Sequence, residues 1–202
     1  VGRGEEDDAV LLDRAGLMTD EERAATIGLA RMDCARVRIE MPRLVESLAR
    51  ITILEVACGY GHSLARSSQG RCDSSGYNDR GQLGLGHRAT SSEYALVRSL
   101  ADVRRVACGA QQSLVVATDM LFAFGQGALG QLGLGRRVTG RTSPVRVPVE
   151  RVTACAAGAN HSIAVDDQGG AWFWGHAEYG QHGGLENVSF RDYVDPEYFC
   201  VP

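Results

Sequence analysis

Short apolar runs alternate with glycine-rich polar turns along most of this chain. "ILEVACG" (53–59), "HSLAR" (62–66) and "LFAFG" (121–125) are brief, β-rich and bounded by turn residues, a pattern that predicts short antiparallel strands. "DDQGG" at 166–170 is turn material between two further runs. One stretch follows a different period. In "LMTDEERAATIGLARMDC" (17–34), Thr19 stands three residues before Glu22, and Ala24, Ile27, Leu29 and Ala30 fall on roughly one face. A capping box followed by a 3.6-residue period predicts a helix. It is expected either to pack on the rim of the strands or to dock another protein.

The strand pattern repeats. "VACGYGHSLA" (56–65) returns as "VACGAQQSLV" (106–115) and "CAAGANHSIA" (155–164), with marker glycines Gly59, Gly109 and Gly158 spaced 50 and 49 apart. "GYNDRGQLGLG" (76–86) returns as "GQGALGQLGLG" (125–135) and "GHAEYGQHGG" (175–184), with Gly76, Gly125 and Gly175 spaced 49 and 50. A weaker marker precedes each unit, in "MPRLVESL" (41–48), "EYALVRSL" (93–100) and "TSPVRVPV" (142–149). Independent markers sharing one period indicate a repeat architecture. A small sheet cannot bury both its faces alone, and radial repetition of such sheets gives a propeller.

Composition agrees and narrows the chemistry. Apolar residues make up 44% of 202, and 25 glycines against 5 prolines favour many tight turns. The net charge of −4 gives no basic surface, so no nucleic acid is expected as a partner. No apolar run approaches the ~20 residues of a membrane span. All 21 basic residues are arginine, which excludes lysine Schiff-base and P-loop chemistry. Of the cysteines Cys34, Cys58, Cys72, Cys108, Cys155 and Cys200, no two have C-x-x-C spacing. They are expected to be buried and reduced, which points weakly to a reducing compartment.

At this point the chain resembles the regulator of chromosome condensation (RCC1) repeat family, on "VACGYGHSLA", the two "GQLGLG" stretches and "AWFWGHAEYGQ". The likeness covers about residues 36–190 in three units. It implies an all-β fold built as a β-propeller, seven-bladed in family members, with four-stranded blades. Three units make only a partial, three-blade RCC1-like propeller with an N-terminal helical segment. The expected organisation is an extension over 1–35 and repeats over 36–202, in units of about 51–100, 101–150 and 151–190, followed by a C-terminal tail. Departures from the pattern are Ser75, where the other units have Phe124 and Trp174, and His182, where they have Leu83 and Leu132.

The recurrent motifs favour structure over catalysis. "GQLGLG" is G-x-x-G-x-G, which is neither a dinucleotide fingerprint nor a P-loop, and it lacks a following helix. It is expected to be a turn anchored by its leucines. His62-Ser63 and His161-Ser162 are adjacent strand residues on opposite faces, and Gln112 takes the histidine's place in the middle unit. A shared hydrogen-bonding role fits better than a base or a metal ligand. "GHSLA" (61–65) misses the nucleophile elbow at Ala65. His176, Glu178 and His182 lie in one glycine-rich loop, read as solvated rather than metal-binding. Trp172 and Trp174 share a strand face, for core packing or as an exposed anchor.

These observations predict no enzyme and no cofactor. They predict a non-catalytic protein-binding scaffold, a subunit of a larger assembly whose other chains cover the ends of the blade arc, since three blades cannot close a ring. The candidate partner-binding residues are the basic cluster Arg136, Arg137 and Arg141 and the divergent loop residues His176, Glu178, Tyr179 and His182. The alternative that the resemblance implies is guanine-nucleotide exchange on a small GTPase. The even spacing of the units leaves no room for the protruding wedge of that relative. The acidic N-terminus lacks targeting character and favours a cytoplasmic or cytoskeletal protein over a processed organellar one.

Overall fold

A computed structural model describes residues 39–135 and 138–183. The helix expected at 17–34 lies outside these residues. Among the described residues there is no α-helix, only a 3-10 turn at Glu46–Leu48. The chain divides into Val1–Leu44 and a second compact unit, Val45–Pro202. The described part of the first, 39–44, has no regular structure, and everything below concerns the second.

Eleven strands follow in order. They are β1 (Ile53–Cys58), β2 (His62–Ser67), β3 (Cys72–Gly76), β4 (Ser91–Leu96), β5 (Val103–Cys108), β6 (Gln112–Ala117), β7 (Met120–Gln126), β8 (Gly140–Arg146), β9 (Val152–Ala157), β10 (His161–Asp166) and β11 (Ala171–Gly175). They form three antiparallel sheets, ordered β1-β2-β3-β4, β5-β6-β7-β8 and β9-β10-β11. The first two are four-stranded blades, and the third has three strands among the described residues.

The registers coincide from sheet to sheet. His62, Gln112 and His161 stand opposite Gly76, Gly125 and Gly175. Ser63, Ser113 and Ser162 stand opposite Ser75, Phe124 and Trp174. Period-two alternation then sends Phe124 toward the first sheet and Ala123 toward the third. Phe124 accordingly clusters with Leu64, Val97 and Val106. Leu114, Ala123 and Leu132 cluster with Trp174. The hydrophobic core therefore lies between the blades, in two seams, rather than within any one sheet.

"GQLGLG" is a turn, as its sequence predicts. Gly84 and Gly133 hold φ of +69° and +66°, where a side chain is strained. A Cβ on Gly84 would also stand 2.8 Å from the Phe124 ring. Leu83 and Leu132 are buried, while Leu85 and Leu134 pack against the clusters from outside.

Candidate functional site

The loop does more than turn. The first two glycine loops each reach across a seam and meet the next blade through a glutamine. Ser113 Oγ donates to the Gln82 carbonyl at 2.7 Å, and Ser162 Oγ donates to the Gln131 carbonyl at 2.9 Å. Trp174 Nε1 adds a second donor to the Gln131 carbonyl at 2.9 Å. The glutamine side chains brace the turns from inside: Gln82 Oε1 accepts from Arg80 N, Gln131 Oε1 from Leu129 N, and Gln181 Oε1 from Tyr179 N. Backbone bonds join the blades beside them, Tyr60 N to the Ala110 carbonyl and Ala110 N to the Ala159 carbonyl.

The histidine-or-glutamine position faces the following blade. His62 Nε2 lies 2.9 Å from Ser113 Oγ, and Gln112 Nε2 donates to the Gly158 carbonyl at 3.1 Å. Because the Ser113 proton goes to Gln82, His62 must donate from Nε2, leaving a buried Nδ1 without a hydrogen-bond partner. Burial in the seam lowers the His62 pKa to about 4, against a smaller opposing effect of the main-chain carbonyl of Gln112. His62 is thus a neutral seam donor. The marker glycines have their reason here. A Cβ on Gly59 or Gly109 would strike the side chain of His62 or Gln112 and the carbonyl of the next marker glycine.

Three thiols share these seams, Cys72 and Cys108 in the first and Cys155 in the second. Cys108 Sγ donates to the Ala57 carbonyl at 3.6 Å. Burial pushes the Cys108 and Cys155 thiols up to about 12. Cys58 departs from expectation, being exposed rather than buried, because the inner strand β1 has no blade before it among the described residues.

The described candidate residues make separate contacts. Arg136 and Arg137 lie outside the described residues. Arg141 is exposed on β8, and its guanidinium donates to the neighbouring Gly140 carbonyl at 3.1 Å. His176 and Glu178 do meet, Nε2 to Oε2 at 3.2 Å, with the Tyr179 ring tilted against His176 at 6.0 Å. Tyr179 is strongly exposed. His182 lies elsewhere, edge-on to Phe173 at 6.2 Å, and Phe173 stacks on His161 at 5.7 Å. Among the described residues no group of three or more His, Cys, Asp or Glu could hold a metal ion. Trp172 and Trp174 pack in the second seam, Trp172 donating to Asp166 Oδ2 at 2.8 Å. The anchor alternative does not hold for buried Trp174.

Repeated antiparallel blades joined face to face by glycine loops define a β-propeller-type repeat protein. The RCC1 repeat model, described as the regulator of chromosome condensation repeat, matches residues 69–116 and 119–165, and a second model of that repeat matches 53–82. The chain belongs to this family. It is 34% identical over 178 residues to the human protein RCC2, covering 74% of this chain and 34% of RCC2. The crystal structure of human WBSCR16 superposes with a TM-score of 0.57 at 28% identity, covering 62% of this chain and 33% of that one. Prp20p from Saccharomyces cerevisiae, a protein with binding properties to Gsp1p and histones, gives 0.54 at 25% identity, covering 62% and 34%. The chain thus spans about a third of the length of these relatives. No helix among the described residues is long and apolar enough to cross a membrane.

Proposed function

We propose that this chain is a non-catalytic binding scaffold, part of a larger assembly in which other protein surfaces cover the ends of the blade array. The observation that carries this reading is the use made of the recurrent polar side chains. Ser113, Ser162, His62 and Gln112 all hold one blade to the next. The exposed loops, which carry none of these contacts, are where a partner would be recognised. Arg136, Arg137 and Arg141 supply a basic cluster suited to an acidic partner surface. The divergent loop with His176, Glu178, Tyr179 and His182 supplies a second contact. A cytoplasmic or cytoskeletal setting fits this role, with an organelle as the alternative.

The test is affinity purification of the full-length protein with identification of what co-purifies. Replacing Arg136, Arg137 and Arg141 together by Ala is expected to leave folding intact and to weaken the association about tenfold at low salt, and less at high salt. An assembly indifferent to the triple change but lost on Leu132→Asp would show the cluster to be solvated surface.

A second reading, nucleotide exchange on a small GTPase, draws support from the likeness to Prp20p. Clear acceleration of nucleotide release across a panel of small GTPases would establish it and displace the scaffold reading.

A further inference from the structure

The first seam carries a cleft that the repeat does not require. It lies between the outer strands of the first two blades, β4 and β8, and encloses about 380 Å³. One wall is the end of the first glycine loop together with β4 and its exit. The other is Ser143 of β8. Both walls belong to an internal seam, so neither end of the array enters the site.

The residues that shape this cleft differ from their counterparts in the second blade. Ala95 and Val145 hold equivalent places, opposite Ser74 and Ala123. Val97 and Val147 are likewise equivalent, donating to the Cys72 and Leu121 carbonyls of their own blades. Arg98 follows the first valine and Pro148 the second. The first blade therefore has a smaller wall residue, and a cation where the second has a proline. Its loop is also held by a group that the other units lack. Asn78 is fully buried, and its Oδ1 accepts from Leu83 N at 3.0 Å. Its Nδ2 donates to the His87 and Ala89 carbonyls at 3.0 and 2.9 Å. Gly127 and Ala177 take its place in the other units. The second loop meets its neighbour without such a clamp, so crossing the seam does not demand one. What the clamp sets is the position of His87 at the mouth of the cleft.

The cleft offers donors and no carboxylate. Ala89 N donates to His87 Nδ1 at 3.2 Å, which places the proton of the neutral ring on Nε2. Ser143 Oγ comes within 3.7 Å of where a Cβ on Gly86 would stand. The side chains of Arg98, Ser99 and Ser143 have no hydrogen-bond or ion-pair partner among the described residues. Arg66, Arg71, Arg80, Arg104, Arg146 and Arg151 each pair with a carboxylate. Arg98 is left uncompensated on a chain of net charge −4. Leu85, Ala95 and Leu96 add apolar surface beside these donors.

We infer that this cleft binds a small oxyanion ligand, a carboxylate or a phosphate carried on a short apolar stem. Arg98 takes the anion, as a guanidinium does best, and His87 Nε2 and the serine hydroxyls add hydrogen bonds. The stem rests on Leu85 and Leu96. The volume falls in the range of small-molecule sites, about 300–1,000 Å³, and is more than a bare anion fills. The site stands apart from the scaffold reading, because its ligand needs no second protein.

The test is titration of the full chain with butyl phosphate, pentanoate and neutral butanol, followed by amide chemical shifts. At least one of the two anions is expected to saturate with a Kd of about 1 mM, shifting the first glycine loop, β4 and β8. Whichever anion binds more tightly names the ligand class. Arg98→Ala is expected to weaken that binding about tenfold or more, the loss of a charged hydrogen-bond donor. Ala95→Val keeps every charge and installs the residue of the second blade. It is expected to fold, shown by circular dichroism, and to weaken binding about threefold or more by filling the cleft. Failure of both anions to saturate by about 50 mM overturns the inference. So does butanol binding as tightly as the anions, or anion binding that Arg98→Ala and Ala95→Val both leave unchanged.

Discussion

Phe124→Ala is expected to cost about 3–5 kcal/mol of folding stability, the range for truncating a fully buried aromatic. Phe124 has no exposed surface and joins the first two blades, packing on Gly84 and within the cluster that holds Leu64, Val97 and Val106. In a linear array each blade is stabilised by its neighbours. The loss should therefore appear as an early separate transition of the first blade rather than a uniform shift. Urea unfolding followed at two sites would show it, with the fluorescence of Trp174, in the second seam, lagging the loss of overall β signal. A cost below about 1 kcal/mol, or one unchanged single transition, would mean that the seam does not couple the blades.

Acid should open the same seam. His62 has a pKa of about 4 when folded, against about 6.5 when exposed to water. Above pH 6.5 both states are neutral and the seam keeps its full stability. As pH falls from 6.5 toward 4, the unfolded chain takes up the proton first, and stability drops by about 3 kcal/mol over that window. His62→Gln should fold, because Gln112 occupies the equivalent place, and should flatten the loss between pH 6.5 and 4. Denaturation midpoints for both proteins at pH 7, 5.5 and 4.5 decide the matter. Equal slopes would place the acid sensitivity elsewhere.

The repeat itself was legible because it rests on local chemistry. The positive φ of Gly84 and Gly133 demanded glycine at fixed places, and the alternation in β6 and β7 announced strands, so a 49–50 residue period gave the blades. The seams were not legible. A period states that His62 and Gln112 are equivalent, but it does not reveal that His62 bonds Ser113, a residue of the next unit. Strand geometry sends the serine and its adjacent histidine to opposite faces, which the sequence shows, but not which residue each one meets there. The signal that could have found the contact is the constancy of the serine while the histidine slot varies. Within the candidate loop the contacts were not legible either. His176 and Glu178 do pair, but His182 belongs to the Phe173 face, and loop position alone cannot show which way a side chain turns.

The thiols give the chain a gauge of its own breathing. Cys58 stands in solvent, while Cys108 is held in the first seam with its sulfur on the Ala57 carbonyl and its ionisation suppressed. In the isolated chain an alkylating reagent should therefore modify Cys58 at once and reach Cys108 only during moments when the first two blades part. The ratio of the two labelling rates then measures how often the joint comes undone under native conditions, with no denaturant present.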